Sequence, residues 1–181
     1  MIMRHTAFLA AFATLALAGC AHYVEPFGGT TAKLRVVSLP GSATEVRELD
    51  DTQCIGSTGA LIASLGLSVK NGTNQGRSLH MPLQDGVPRL AGGELTIRAG
   101  QPFAAQFKAK ATSGPKGAGW DYPACARSFV LTAKEGEYYE AQLEQLHGGC
   151  QLNVFRISRE RDGSYVRRVA ENARELKTRC N

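Results

Sequence analysis

The stretch FVLTAKEGEYYEAQL, residues 129–143, decides the predicted fold of this chain. Apolar residues recur at every second position on both sides of the segment Lys134-Glu135-Gly136-Glu137. These positions are Phe129, Leu131, Ala133, Tyr139, Ala141 and Leu143. Because successive side chains of a strand point to opposite faces, this period of two indicates two strands that each bury one face. The glycine-containing segment between them predicts a turn, and the pair is therefore expected to form a hairpin.

The same period of two occurs in other parts of the chain. Residues 33–36 read Lys-Leu-Arg-Val, so we expect Leu34 and Val36 to lie in the core. After a Pro40-Gly41 turn, residues 44–49 are expected to pair back on this strand as a second hairpin. Further alternating segments lie at residues 95–98, 103–107, 150–154 and 165–170. The pattern predicts about seven or eight short strands.

Two segments do not follow a simple strand pattern. Residues 61–65 (LIASL) are compatible with a buried strand or with one helical turn, and periodicity does not separate the two. Asn172 stands three residues before Glu175, which resembles a capping box and predicts a short C-terminal helix over Ala173 and Leu176. We therefore expect an all-β protein, a small antiparallel β-sandwich with one short C-terminal helix.

The N-terminal residues carry a secretory signal. Arg4 precedes a short apolar run, and small residues then lead to Cys20. The run of about 12 residues is shorter than the roughly 20 that cross a bilayer. Leu17-Ala18-Gly19-Cys20 resembles the lipobox of bacterial lipoproteins, which implies that Cys20 carries a lipid and becomes the first residue after cleavage. The alternative is an ordinary secretory signal that ends at a cysteine.

These signals divide the chain into three parts: a signal peptide at residues 1–19, the lipidated Cys20 with a tether at residues 20–31, and the sandwich domain at residues 32–181. The lipobox, residues 32–36, the Gly136 to Tyr139 turn and the Cys150-x-Leu-x-Val segment together resemble uncharacterised proteobacterial lipoproteins with a transthyretin-like or immunoglobulin-like sandwich. The resemblance implies a membrane-anchored domain and supplies no catalytic residue. By resemblance to the sorting pattern of Gram-negative lipoproteins, in which an Asp after the cysteine favours the inner membrane, Ala21 favours the outer membrane, with the domain facing the periplasm.

Four cysteines remain once Cys20 is assigned to the lipid, and an oxidising compartment favours two disulfides over free thiols. Four cysteines allow three pairings, and the sequence does not choose among them. Because Cys150 and Cys180 enclose one predicted hairpin and a tail, we expect Cys150-Cys180 together with Cys54-Cys125. No C-x-x-C spacing is present, so a zinc site has little support.

Candidate partner-binding residues come from one loop and from the tail. Trp120 and Tyr122 lie in a loop rich in Gly and Pro, where Trp120 either contacts a partner or caps the core. Residues 156–181 hold eight basic and four acidic residues, so this tail carries most of the formal net charge of +5 of the whole chain. Arg167 and Arg168 therefore either attract anionic lipid or an acidic partner, or form part of a solvated face.

No catalytic constellation emerges from the remaining motifs. Ser113 and Lys116 match a Ser-x-x-Lys spacing, but Gly and Pro in this segment argue against the helix that the motif needs. His80-Met81 is too small a set to hold copper. We expect no enzyme activity, no cofactor, no metal and no nucleic acid. The expected function is a lipid-anchored structural or binding module of the envelope; the alternatives are an accessory or chaperone-like subunit of an envelope assembly, and a hydrolase without a recognisable motif.

Overall fold

The fold is described from a computed structural model, which covers residues 21–39, 42–66, 69–82, 91–113 and 121–181. Within these ranges the chain forms twelve strands and no α-helix. The strands are β1 (Thr31–Leu39), β2 (Thr44–Leu49), β3 (Thr58–Leu65), β4 (Gly92–Arg98), β5 (Pro102–Ala109), β6 (Thr112–Ser113), β7 (Asp121–Tyr122), β8 (Cys125–Thr132), β9 (Tyr138–Leu146), β10 (Gly149–Arg159), β11 (Tyr165–Val169) and β12 (Ala173–Leu176).

Two five-stranded sheets pack face to face. The first sheet has the order β11-β10-β9-β1-β4, and the second has the order β12-β8-β5-β2-β3. Neighbouring strands are antiparallel except β1 and β9, which are parallel. Strands β6 and β7 form a separate two-stranded ribbon. The predicted all-β sandwich is therefore confirmed.

The core lies between the two sheets and consists of the residues that alternate inward. The predicted inward positions are all buried: Leu34, Val36, Phe103, Ala105, Phe107, Phe129, Leu131, Ala133, Tyr139, Ala141 and Leu143. Rings in the second sheet contact one another, with the centroids of Phe107 and Phe129 6.2 Å apart. Each large apolar side chain that leaves water contributes about 1.5–3 kcal/mol. The ambiguous residues 61–65 belong to β3, at the edge of the second sheet.

The segment that predicted the fold is not a hairpin. Strand β8 belongs to the second sheet and β9 to the first, so residues 133–137 cross from one sheet to the other. Gly136, at φ 70°, donates its N–H to the carbonyl of Thr31 at 2.8 Å, and the N–H of Lys33 donates to the carbonyl of Glu137 at 3.1 Å. The crossing therefore aligns β9 beside β1. Alternation determines which face of a strand is buried but not which strand lies next to it, so two strands on opposite sides of the core fit the same pattern.

The predicted hairpin of β1 and β2 is also wrong. Strand β2 lies in the second sheet between β3 and β5, where Val46 is opposite Phe107. The hydroxyl groups of Ser38 and Thr44 form a hydrogen bond of 2.7 Å where the chain changes sheets. By contrast, β9, β10 and β11 follow one another as antiparallel neighbours, and the predicted turn at residues 161–164 connects β10 to β11.

The predicted C-terminal helix is replaced by strand β12. Ala173 is opposite Leu131 and Leu176 is opposite Ser128 of β8. The side-chain amide of Asn172 donates to the carbonyl of Thr132 at 2.6 Å instead of capping a helix. A segment this short has little helical stability of its own, so burial of Leu176 against the second sheet decides its conformation.

Both disulfides form, but the expected pairing is wrong. The structure joins Cys54 to Cys180 and Cys125 to Cys150. Cys125 begins β8 and Cys150 lies near the start of β10, so this bridge links the two sheets. The other bridge is flanked by a hydrogen bond of 2.7 Å from the N–H of Ile55 to the carbonyl of Thr178. The hairpin and tail that Cys150 and Cys180 enclose suggested that pair, whereas in the structure Cys150 lies on β10 and Cys180 follows the end of β12 beside Cys54.

Residues 21–25, the first part of the predicted tether, are attached to the domain. The carbonyl of Ala21 accepts a hydrogen bond of 2.8 Å from the N–H of Leu61, and the N–H of Tyr23 donates to the carbonyl of Leu61 at 2.9 Å. The hydroxyl group of Tyr23 donates to the carbonyl of Thr96 in β4 at 3.1 Å. The segment therefore bridges the two sheets at the edge strands β3 and β4, and these residues are not a free spacer.

Candidate functional site

The structure does not describe two of the predicted site residues. Cys20 and Trp120 both lie outside the described ranges, so lipidation and the choice between a capping and a partner-binding Trp120 stay predictions. Tyr122 lies in β7 and is half-buried, with its ring centroid 5.4 Å from that of His147. Tyr122 thus lies at the connection between β9 and β10.

Arg167 and Arg168 do not share a surface. They are adjacent on β11, so their side chains point to opposite faces of the first sheet. Arg168 has a side chain that is 67% exposed and pairs with Glu160 at 2.7 Å. Arg167 donates to the carboxylate of Glu140 at 2.6 Å, and its guanidinium lies 4.4 Å from the centre of the Phe155 ring. The two arginines are therefore expected to respond differently to substitution.

A buried charge network lies on the outer face of the first sheet. Arg35 of β1 donates to Glu94 of β4 at 2.7 Å and to Glu140 of β9 at 3.1 Å. Arg35 and Glu94 are 4% exposed, and Glu140 is fully buried. Arg167 adds a second cation to Glu140. Two carboxylates and two guanidinium groups thus compensate one another, with Arg35, Glu94 and Glu140 buried and the side chain of Arg167 29% exposed.

The segment at residues 77–82 covers this network. The carbonyl of Pro82 accepts a hydrogen bond of 2.9 Å from Arg35, and the carbonyl of Leu79 accepts one of 2.7 Å from the ammonium group of Lys33. The other carboxylate oxygen of Glu94 accepts hydrogen bonds from the N–H groups of Leu79 and Met81. The network therefore attaches this part of the loop to the sheet, and we call residues 77–82 the cover segment.

The side chains of His80 and Met81, both in the cover segment, lie in different surroundings. His80 is exposed with φ 60°, whereas Met81 is 4% exposed against the sheet. Within the described ranges, one group of His, Cys, Asp or Glu side chains is close enough to hold a metal ion, namely Asp51, Cys54 and Cys180. The sulfur atoms of that group are joined in a disulfide, so they are not available as thiolate ligands in this state.

A cleft lies between the N-terminal segment and the end of the sandwich. Tyr23, Glu25, Phe27, Glu48 and Arg98 are among the residues that line it. Burial raises the pKa of the Tyr23 hydroxyl group, and the neighbouring carboxylates of Glu48 and Glu25 add to the shift. Burial also raises the pKa of Glu48.

The pKa of Glu25 moves in the opposite direction. Burial on its own would raise it, but hydrogen bonds from Arg77 and from the N–H of Thr96 outweigh that effect and lower the pKa. The bond from Thr96 is 3.1 Å long. Glu25 therefore holds the N-terminal segment against β4 in its charged form.

Sequence reasoning missed the charge network. Arg35, Glu94 and Glu140 occupy the polar positions of alternating strands, which is the pattern of a face in contact with water. Glu94 and Glu140 are 59 and 105 residues away from Arg35 in sequence. The cover segment has no periodicity, so no local signal indicated that it lies over these charges.

The fold and these contacts define a class of protein: a β-sandwich with two disulfides and a salt-bridged outer face. No protein-family model, no curated protein and no solved structure matches this chain. Among the described residues, no helix is long and apolar enough to cross a membrane.

Proposed function

We propose that this chain is a lipid-anchored, non-catalytic lipoprotein of a bacterial envelope, a structural or binding module on the periplasmic face of the outer membrane. The observation that carries the proposal is the Leu17-Ala18-Gly19-Cys20 motif, placed directly before a segment that is hydrogen-bonded to the domain. A lipid on Cys20 would hold the whole sandwich at the membrane.

Two further features support the proposal. The two disulfides suit an oxidising compartment such as the periplasm, where such bridges persist. Arg35, Glu94, Glu140 and Arg167 are engaged with one another and with the cover segment, an arrangement that favours a structural role for these charges over a catalytic one.

The experiment replaces the lipid acceptor. Cys20→Ser in the full chain should abolish labelling by palmitate, because sulfur is the acceptor, and should leave an unprocessed or soluble protein. Ala21→Ser is the matched control and should remain labelled and membrane-bound. A third variant, Ala21→Asp, should move the labelled protein to the inner membrane. Continued labelling of Cys20→Ser would refute the anchor.

A second candidate function, an accessory subunit of an envelope assembly, has its own observation. Tyr165 and Val169 of β11 are both exposed on one face of the first sheet, beside the Phe155 and Arg167 pair. Exposed apolar residues around an aromatic–arginine pair are typical of interfaces. A photo-crosslinking side chain at Val169 should capture an envelope protein in cells, whereas one at Glu135 should not.

A further inference from the structure

We propose that Val24 and Phe27 contact the lipid bilayer directly, so that the membrane surface forms part of the environment of the folded domain. The inference rests on the proposed lipid at Cys20. It specifies which face of the sandwich meets the bilayer and which residues enter it. The face is the one bearing the N-terminal segment at the edges of β3 and β4.

The predicted lipid anchor and the folded domain are adjacent in the chain. Ala21 follows Cys20 directly, and its carbonyl accepts the hydrogen bond from Leu61 of β3. Tyr23 is held by hydrogen bonds from its backbone N–H to Leu61 and from its hydroxyl group to Thr96. Since one residue spans at most about 3.6 Å, Cys20 lies within about 15 Å of Val24. A lipid on Cys20 therefore brings this edge of the sandwich to the headgroups.

This edge of the sandwich exposes apolar side chains. Val24 is 85% exposed and Phe27 is fully exposed, and both line the same cleft. The described residues contain five exposed large hydrophobic side chains, and two of these five lie within residues 24–27. Amphipathic helices at membrane interfaces bury their apolar faces about 5–10 Å into the headgroup region, and the exposed side chains of Val24 and Phe27 beside a lipid anchor offer a contact of the same kind.

Charge does not explain the placement of this edge at a membrane. Arg98 and Glu48 line the cleft with opposite charges, and Glu25 is paired with Arg77. We therefore expect the contact to depend on the apolar side chains and to be similar on zwitterionic and anionic lipids.

The test uses the lipidated, processed protein with Trp120→Phe as background, reconstituted in phosphatidylethanolamine and phosphatidylglycerol vesicles that contain brominated phosphatidylcholine. A Phe27→Trp side chain should emit at shorter wavelength and lose fluorescence to the bromine atoms. The matched control is Tyr165→Trp, in β11 at the opposite edge of the first sheet, and its emission should be unchanged by bromine. The result should be the same without phosphatidylglycerol.

Four outcomes would overturn the inference. Unquenched emission from Phe27→Trp in a protein that stays on the vesicles would exclude insertion while leaving the lipid anchor intact. Equal quenching of both variants would exclude a preferred face. Quenching that requires phosphatidylglycerol would assign the contact to charge. If the processed protein were found to carry no lipid and did not bind the vesicles, the proposed function would be overturned as well.

Discussion

Arg35 and Glu94 form a salt bridge of 2.7 Å with both side chains only 5% exposed, although both project from the outer face of a sheet. Breaking one partner of a buried ion pair costs about 3–5 kcal/mol, because the other charge is left uncompensated. Glu94→Gln should therefore lower the free energy of unfolding by about that amount in urea titrations. The amide groups of Leu79 and Met81 should also exchange hydrogen faster, since they donate to Glu94.

Glu45→Gln is the matched control for this prediction. Glu45 pairs with Arg47 at 3.3 Å, but its side chain is 47% exposed. Exposed pairs contribute about 0.2–1 kcal/mol. If Glu94→Gln and Glu45→Gln gave the same stability, the network would have no role in holding the cover segment.

Adjacent arginines on β11 should differ in their effect on stability. Arg167→Ala removes hydrogen bonds to the buried Glu140 and to Gln142, and bonds to a charged group are worth about 1.5–3 kcal/mol each. Arg168→Ala removes only the exposed pair with Glu160, at about 0.2–1 kcal/mol. Thermal melts of the two variants decide the question. Equal losses would mean that the two side chains are equivalent, as a shared basic patch would require.

The attachment of the N-terminal segment should weaken in acid. The pKa of Glu25 is lowered from its ordinary value of 4.5 in the folded protein, so its contribution is complete above that value. It is lost as the pH falls through the lower folded pKa. The melting temperature of Glu25→Gln should therefore lie below that of the unchanged protein at pH 7, and the difference should shrink in acid. If the difference in melting temperature grew as the pH fell, the charged form of Glu25 would not be the one that stabilises the fold.

The two disulfides should contribute unequally to stability. The bridge of Cys54 and Cys180 spans 126 residues and that of Cys125 and Cys150 spans 25. Chain-entropy scaling gives about 5 and about 3.5 kcal/mol for loops of these lengths. Paired Cys→Ser variants in urea should reproduce that order. Mapping of non-reduced peptides comes first, and a Cys54 to Cys125 peptide would contradict the structure.

Sequence patterns predicted which residues are buried far better than which strands are neighbours. Alternation correctly placed Phe129, Leu131, Tyr139 and Leu143 in the core, because burial depends on a period that is local to each strand. Pairing depends on contacts between distant residues. The predicted turn at residues 134–137 therefore suggested a hairpin, whereas in the structure residues 133–137 cross from one sheet to the other.

The same distinction explains the errors at the C-terminus. The spacing of Asn172 and Glu175 is local and suits a helix cap, but the buried position of Leu176 comes from β8, more than forty residues earlier. The disulfide pairing likewise follows the sheet order, which no spacing of cysteines reveals. The charge network required the first sheet and the cover segment together, so no single motif could have indicated it.

We propose that a lipid on Cys20 holds this sandwich at a membrane. Mass spectrometry of the N-terminal peptide, from protein purified out of bacterial membranes, shows whether that lipid is present. We expect a peptide that begins at Cys20, carries a diacylglyceryl thioether and has an acylated amino group. A mature protein that begins at another residue, or at an unmodified Cys20, would contradict the claim.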